Sequence, residues 1–120
     1  MSEYESLVYA LKNLTQGEEP NTVTLPVAEY SWDVRPETVS YGVVQLDFEA
    51  TGLDADGVKA DRAFEGSVDL FSMVKSGAGW VDEITKTLTN ICGACWSLNS
   101  HTYERDTSLF HWEWTFSVMG

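Results

Sequence analysis

Residues 109–118 read LFHWEWTFSV and carry the strongest structural signal in the chain. In a β-strand, successive side chains point to opposite faces of the sheet. One face of this strand is therefore apolar and carries Phe110, Trp112, Trp114, Phe116 and Val118. Burying side chains of this size contributes roughly 1.5–3 kcal/mol each, so the whole face is comparable to the net stability of a small domain. The pattern predicts a strand that is a central structural element, with one face on the core.

The residues before this strand predict a helix and a hairpin. Trp80, Ile84, Leu88 and Ile91 recur at helical spacing, and Gly93 is a suitable helix end. Strands are expected over 96–103 and 108–118, joined by a turn at 104–107. The last third of the chain is therefore predicted to be one continuous α-β-β unit.

The first two thirds predict one more helix and three strands. The helix is expected over 2–15, because Ser2 and Glu5 have the spacing of a capping box ahead of an apolar stripe. Alternating segments predict strands over 24–33, 41–51 and 63–74, and the polar residues 52–62 predict a hairpin connection. The second strand is expected to place Val44, Leu46 and Phe48 on one face.

The predicted order is α-β-β-β-α-β-β. Short hairpin connections favour an antiparallel β-sheet, and two amphipathic helices are expected to pack on one face of it. With 120 residues, the chain is expected to form a single domain over 1–120. The predicted fold class is α+β.

The charge balance limits the classes of partner that the chain is expected to bind. The chain has 19 acidic and 7 basic residues and a formal net charge of −12. Binding to nucleic acid through phosphate contacts needs a basic face, so this mode is disfavoured, as is attraction to an anionic membrane. A negative surface instead suits a basic protein partner, or a wall along which DNA slides without sticking. No secretory or membrane-spanning segment is recognisable, which predicts a cytoplasmic protein at synthesis.

The sequence CGAC places Cys92 and Cys95 in a Cys-x-x-Cys motif. Redox pairs of this kind place the attacking cysteine at a helix N-terminus, where its pKa is lowered. Here the pair follows the C-terminal end of the second predicted helix. We therefore interpret Cys92 as a small core residue and expect both thiols to be reduced.

A zinc site is the alternative use of these cysteines. Together with His101 and His111 they give the spacing C-x2-C-x5-H-x9-H, which departs from the usual metal-binding patterns. Pairing of the last two strands could bring the two histidines together. His111 is otherwise interpreted as a solvated or interface imidazole on the polar face, and no metal or cofactor is expected.

The hairpin connection is the main candidate for a functional element. Asp54-Ala55-Asp56-Gly57 resembles half of a calcium-binding loop, but the glycine comes too early and no helices flank it. A polar loop on a rigid sheet is a common place for recognition. We therefore expect a protein interface at Asp54, Asp56, Gly57, Asp61 and Arg62. No catalytic motif is present, so the chain is not expected to be an enzyme.

Taken together, the segments resemble those of one viral family. The N-terminal helix over 4–14, the strand LPVAEY at 25–30, the return strand EGSVDLFS at 65–72, the helix start WVDEI at 80–84 and the strand FHWEWTF at 110–116 follow one another in its order. The chain is similar to the tail-completion proteins (tail terminators and head–tail joining proteins) of long-tailed bacteriophages and their prophages. The likeness covers nearly the whole chain, although the Cys92/Cys95 and Trp112/Trp114 pairs are not marks of that family.

The resemblance implies a structural protein of the virion tail that first folds in the host cytoplasm. In that family an α+β domain forms a ring, commonly a hexamer, at the head-proximal end of the tail tube. The ring stops tube growth, joins the tail to the head connector and lets DNA pass without specific binding. The implied partners are further copies of the chain, the tail-tube protein and the connector protein. Two alternatives remain open: a monomeric acidic protein-binding module, and a thiol or zinc protein.

Overall fold

The apolar strand near the C-terminus is an interior strand of the main sheet. The computed structural model describes residues 2–33, 35–53 and 59–119, and at 48–53, 59–63 and 119 it describes the backbone alone. Within these residues lie the helices α1 (Glu3–Lys12) and α2 (Trp80–Cys92), and the strands β1 (Thr15–Gln16), β2 (Val23–Thr24), β3 (Val27–Glu29), β4 (Ser40–Leu53), β5 (Lys59–Ser72), β6 (Trp96–Glu104) and β7 (Leu109–Met119). The main sheet has the order β3-β4-β5-β7-β6, so β7 is hydrogen-bonded on both sides.

The apolar face of β7 lies in the core, as its alternation predicts. Trp112, Trp114, Phe116 and Val118 are each no more than 3% exposed, and Phe110 packs against the same cluster. Most of the intervening side chains lie on the opposite, open face and are only partly buried. This confirms the prediction of a strand with one face on the core.

Both helices cover the same face of the sheet. α1 buries Tyr4, Leu7 and Leu11, and α2 buries Trp80, Ile84, Thr87, Leu88 and Cys92. The apolar members of this set join Val44, Val68, Leu70 and the β7 residues in one core cluster. The Tyr4 hydroxyl also donates a hydrogen bond to Glu29 Oε2 at 2.7 Å, which ties α1 to β3. Among the described residues, neither helix is long and apolar enough to cross a membrane.

The helix ends follow the sequence signals. The Ser2 hydroxyl accepts a hydrogen bond from the backbone N–H of Glu5 at 3.1 Å, so Ser2 is the N-cap of α1. At the end of α2, Gly93 has a φ of 61°, and its N–H donates to the carbonyl of Thr89 at 3.0 Å. A glycine adopts this backbone conformation without steric cost, which explains why α2 ends there.

The first predicted strand of the main sheet is wrong in extent. The alternation predicts an extended chain over 24–33, but β3 covers only Val27–Glu29. The chain leaves the sheet at Tyr30, whose φ is 76°. β3 also pairs parallel with the start of β4, from Val27 opposite Gly42. The sheet is therefore mixed rather than wholly antiparallel, while the α+β class with two helices on one face is confirmed.

The hairpin β4–β5 is longer than predicted. Each strand has 14 residues, so both ends of the expected polar connection are strand, and Gly52 pairs with Asp61. A register shift lies between Leu46 and Phe48. Val44 is buried and Leu46 packs against the core cluster, as the alternation predicts, and the bulge begins beyond them. The side chain of Phe48 lies outside the described residues.

Candidate functional site

The open face of the sheet carries a row of aromatic rings. Tyr41 pairs with Phe71 across β4 and β5, and Phe71 pairs with His111 across β5 and β7. The ring centroids lie 5.0 Å apart in the first pair and 4.2 Å apart in the second, and both pairs are stacked. Tyr41 is only 8% exposed although α1 and α2 lie on the other side of the sheet. These three strands therefore carry a second apolar surface outside the main core.

His111 holds two carboxylates at the end of this row. Its Nε2 lies 2.6 Å from Asp69 Oδ1 on β5, and its Nδ1 lies 3.1 Å from Glu104 Oε2 on β6. We refer to Asp69, His111 and Glu104 as the carboxylate–imidazole array. The hydrogen bond with Asp69 is the main cause that raises the pKa of His111, and burial opposes it. The array thus crosses three neighbouring strands and favours a protonated ring.

The geometry of the array limits its chemistry. An ionised carboxylate only accepts hydrogen bonds, so both nitrogens of the His111 ring must carry hydrogen to bond Asp69 and Glu104. No ring nitrogen is then free to act as a general base or to ligate a metal. Among the described residues, no group of three or more His, Cys, Asp or Glu side chains could hold a metal ion. The array is best understood as an electrostatic cross-link between strands.

A cleft adjoins the row of rings. It has a volume of about 380 Å³ and lies between the open face of β4 and β5 and the loop that follows β3. Trp32 forms part of its wall: its ring meets Tyr41 edge-on at 6.4 Å, and its Nε1 donates to the carbonyl of Gly42 at 3.3 Å. Arg35 lies at the rim and donates from Nη1 to the carbonyl of Thr107 at 3.4 Å. Trp32 therefore contacts the sheet, and Arg35 contacts the turn between β6 and β7.

The two sides of the sheet end in unlike strand edges. On one side, β3 pairs only with Gly42–Val44, so in the described part of the chain β4 has no strand partner on that side beyond Val44. On the other side, β6 is the last strand. Leu98 and Tyr103 on β6 are 45% and 51% exposed. Unpaired edges with exposed apolar side chains are typical sites of strand pairing with another chain.

The two residues of the Cys-x-x-Cys motif differ in burial, although they lie on one turn in which the Cys95 N–H donates to the Cys92 carbonyl at 2.9 Å. Cys92 is buried at the end of α2, and burial raises the pKa of its thiol to about 11. Cys95 is exposed after the helix, and both cysteines are free. This matches the interpretation of Cys92 as a core residue at a helix C-terminus.

The four alternative zinc ligands do not come together. His101 pairs with Trp112 and stacks on its ring at 4.4 Å, which places His101 on the helix-covered side of the sheet, at its border. His111 lies between Phe110 and Trp112 on β7, so its side chain points to the opposite, open face. Both of its nitrogens are already bonded there. Strand pairing therefore does not bring the two imidazoles to one site.

The predicted interface residues fall partly within the described chain. Asp54, Asp56 and Gly57 are outside the described residues. The backbone of Asp61 and Arg62 belongs to β5, where these residues pair with Gly52 and Thr51. Asp61 and Arg62 are therefore strand positions rather than part of a free loop.

Most of the open-face site does not follow from the sequence pattern. Tyr41 and Phe71 are aromatic residues at positions of β4 and β5 where the alternation predicts polar side chains. This was the feature of the sequence that could have indicated an apolar surface on the open face. The pairing that brings Asp69 and Glu104 to His111 depends on the order and register of three strands. One sequence does not give that register.

The chain matches no protein-family model and no curated protein at a significant level.

Proposed function

We propose that this chain is a structural subunit of a phage or prophage tail. It forms a ring, most simply a hexamer, at the head-proximal end of the tail tube, where it ends tube growth and joins the tail to the head connector. The observation that carries the proposal is the pair of unlike strand edges on opposite sides of one sheet, at β4 and at β6.

Unlike edges favour a closed ring over a two-fold dimer. A contact between the β4 side of one copy and the β6 side of the next is head-to-tail, and head-to-tail contacts close into rings when the rotation allows it. Both edges carry a register shift, at Leu46/Phe48 and at Leu98/Ser100. Bulges limit indiscriminate edge pairing, so a specific neighbour is expected.

The charge distribution supports passage of DNA. The open face carries Glu65 and Glu113 beside the carboxylate–imidazole array, whose two carboxylates outnumber its one imidazole, and the net charge of the chain is −12. A ring built from such subunits repels phosphate, so DNA moves through it without being held. The same charge also fits the second candidate, a monomeric acidic module that binds a basic protein.

The solution mass separates the two candidates. Light scattering is measured across protein concentration, alone and with tubes assembled from the tail-tube protein of the same genome. A discrete species near six times the 13.4 kDa chain mass, or capping of the tubes, is the expected result. A monomer that neither self-associates nor binds tubes overturns the proposal and favours the acidic module.

Matched surface variants test the edge. Tyr103→Lys places a charge on β6, whereas Tyr9→Lys makes the same change on α1, where Tyr9 is 64% exposed. We expect the first variant to lose ring formation and the second to keep it, with unchanged circular dichroism for both. If the Tyr103→Lys variant forms the ring as well as the Tyr9→Lys variant does, the β6 edge is excluded as the contact.

A further inference from the structure

The carboxylate–imidazole array continues into a longer chain of hydrogen bonds. Glu104 bonds His111 through Oε2, and its Oε1 accepts from the Thr107 hydroxyl at 3.2 Å. The carbonyl of Thr107 accepts from Arg35 at the rim of the cleft. Asp69, His111, Glu104, Thr107 and Arg35 thus connect β5 and β7 to the turn at 105–108 and to the loop after β3.

The two carboxylates differ in their distance from the His111 ring and in their exposure. Asp69 lies closer to His111, at 2.6 Å against 3.1 Å for Glu104, and its side chain is 16% exposed against 37%. When the ring loses one proton, it keeps one N–H, and the shorter and more buried contact with Asp69 is the better partner for it. Nδ1 then presents a lone pair to the Glu104 carboxylate, and that hydrogen bond is lost.

We propose that the array anchors the β6–β7 turn in a pH-dependent way. Deprotonation of His111 breaks its hydrogen bond with Glu104, and the contacts that run from Glu104 through Thr107 to Arg35 are then loosened. The released turn no longer fixes the rim of the cleft, so the cleft becomes wider and more mobile. This inference does not rest on the proposed ring, because every contact in it lies within one copy of the chain.

The charged groups around His111 determine the direction in which its pKa shifts. Asp69 on β5 and Glu104 on β6 contact His111 directly, and Glu113 is two residues along β7, opposite Asp69. Tyr41 stacks on the other side of the Phe71 ring, and Arg35 lines the same cleft. The hydrogen bond with Asp69 raises the pKa of His111 above its ordinary value of about 6.5. Because the pKa of His111 is raised in the folded state, the protonated ring stabilises the anchored turn fully below about pH 6.5. This contribution is lost as the pH rises through the folded-state pKa of His111.

Hydrogen exchange of the turn tests the proposal. Exchange is followed by mass spectrometry from about pH 6 to 9, corrected for the intrinsic rate, with a histidine-selective NMR titration of His111 in the same samples. As His111 deprotonates, we expect protection at 104–109 to fall, by at most about tenfold for each pH unit. Protection in α2 is the internal control and is expected to stay constant.

Two matched variants complete the test. Glu104→Gln removes the acceptor charge at the turn and is expected to abolish the pH dependence at 104–109. Glu113→Gln removes the same charge from a neighbouring residue on the same face and is expected to keep it. Constant protection while His111 deprotonates, a His111 that stays protonated up to about pH 9, or a Glu104→Gln variant that retains the dependence would each overturn the proposal.

Discussion

At the scale of single residues, Gly66 shows how closely the sheet and core are packed. It lies on β5, opposite Leu46 and Phe116. A Cβ added there comes closer to the carbonyl oxygen of Gln45 than real Cβ atoms do, and it lies within 2.6 Å of Cζ of Phe116. The first of these neighbours is backbone, so it cannot move aside without shifting the strand.

Gly66→Ala is therefore expected to destabilise the protein by about 1–3 kcal/mol, the usual cost of overpacking. Urea unfolding followed by tryptophan fluorescence measures the change. Gly42→Ala on the neighbouring strand is the control, because its added Cβ has its nearest neighbour at 3.4 Å and is expected to cost less. Equal costs at the two positions would contradict this account.

Individual residues also show which structural features can be predicted from a single sequence. Ser2, Gly93 and the apolar face of β7 were predictable, because capping, helix ends and alternation are local rules. The row from Tyr41 to His111 was not, because it depends on which strands are neighbours and in what register. Local rules predict which face a residue takes, and not which residue lies beside it.

At the scale of elements, the end of α2 sets the reactivity of the two cysteines. Cys92 is on the last turn and faces the core, and Cys95 lies outside the helix and is exposed. The thiolate is the reactive form, so a thiol with a pKa of about 11 is largely unreactive near neutral pH.

Iodoacetamide at about pH 8 is therefore expected to modify Cys95 in the folded protein and to leave Cys92 unmodified. Peptide mass mapping gives the site of the label, and the same reaction in urea is the control in which both cysteines are modified. Faster labelling of Cys92 than of Cys95 under native conditions would show that α2 does not protect it.

The sheet edges show the limit of prediction at this scale. Residues 24–33 contain alternation typical of a long strand, yet β3 ends at Glu29 because Tyr30 turns the chain away. The short β3 pairs with β4 only at Gly42–Val44, and the rest of that side of β4 has no strand partner in the described chain. The edge central to the proposed function thus arises from a backbone turn that the hydrophobic pattern does not reveal.

At the scale of the whole molecule, the β4–β5 hairpin extends past the rest of the sheet. β7 pairs with β5 only from Ala63 onward, and Ala50 pairs with Ala63 on the other side of β5. The pairs from Thr51–Arg62 to Leu53–Lys59 lie beyond that point. An extension that only pairs with itself adds little to the sheet. In the proposed ring, we expect it to reach the neighbouring subunit.

Replacing residues 51–62 by Asn-Gly, the preferred two-residue hairpin turn, tests this role. We expect the free energy of unfolding of the shortened protein to stay within about 1 kcal/mol of the parent, because the turn closes an existing strand pair. We also expect it to lose ring formation and tube capping in light scattering and electron microscopy. The control replaces only 54–58 by a Gly-Ser linker of equal length, which keeps both strands. Normal assembly of the shortened protein would exclude the hairpin as a contact. Failure of both variants would place the contact in residues 54–58, and failure of the shortened protein alone would place it in the strand extensions on either side.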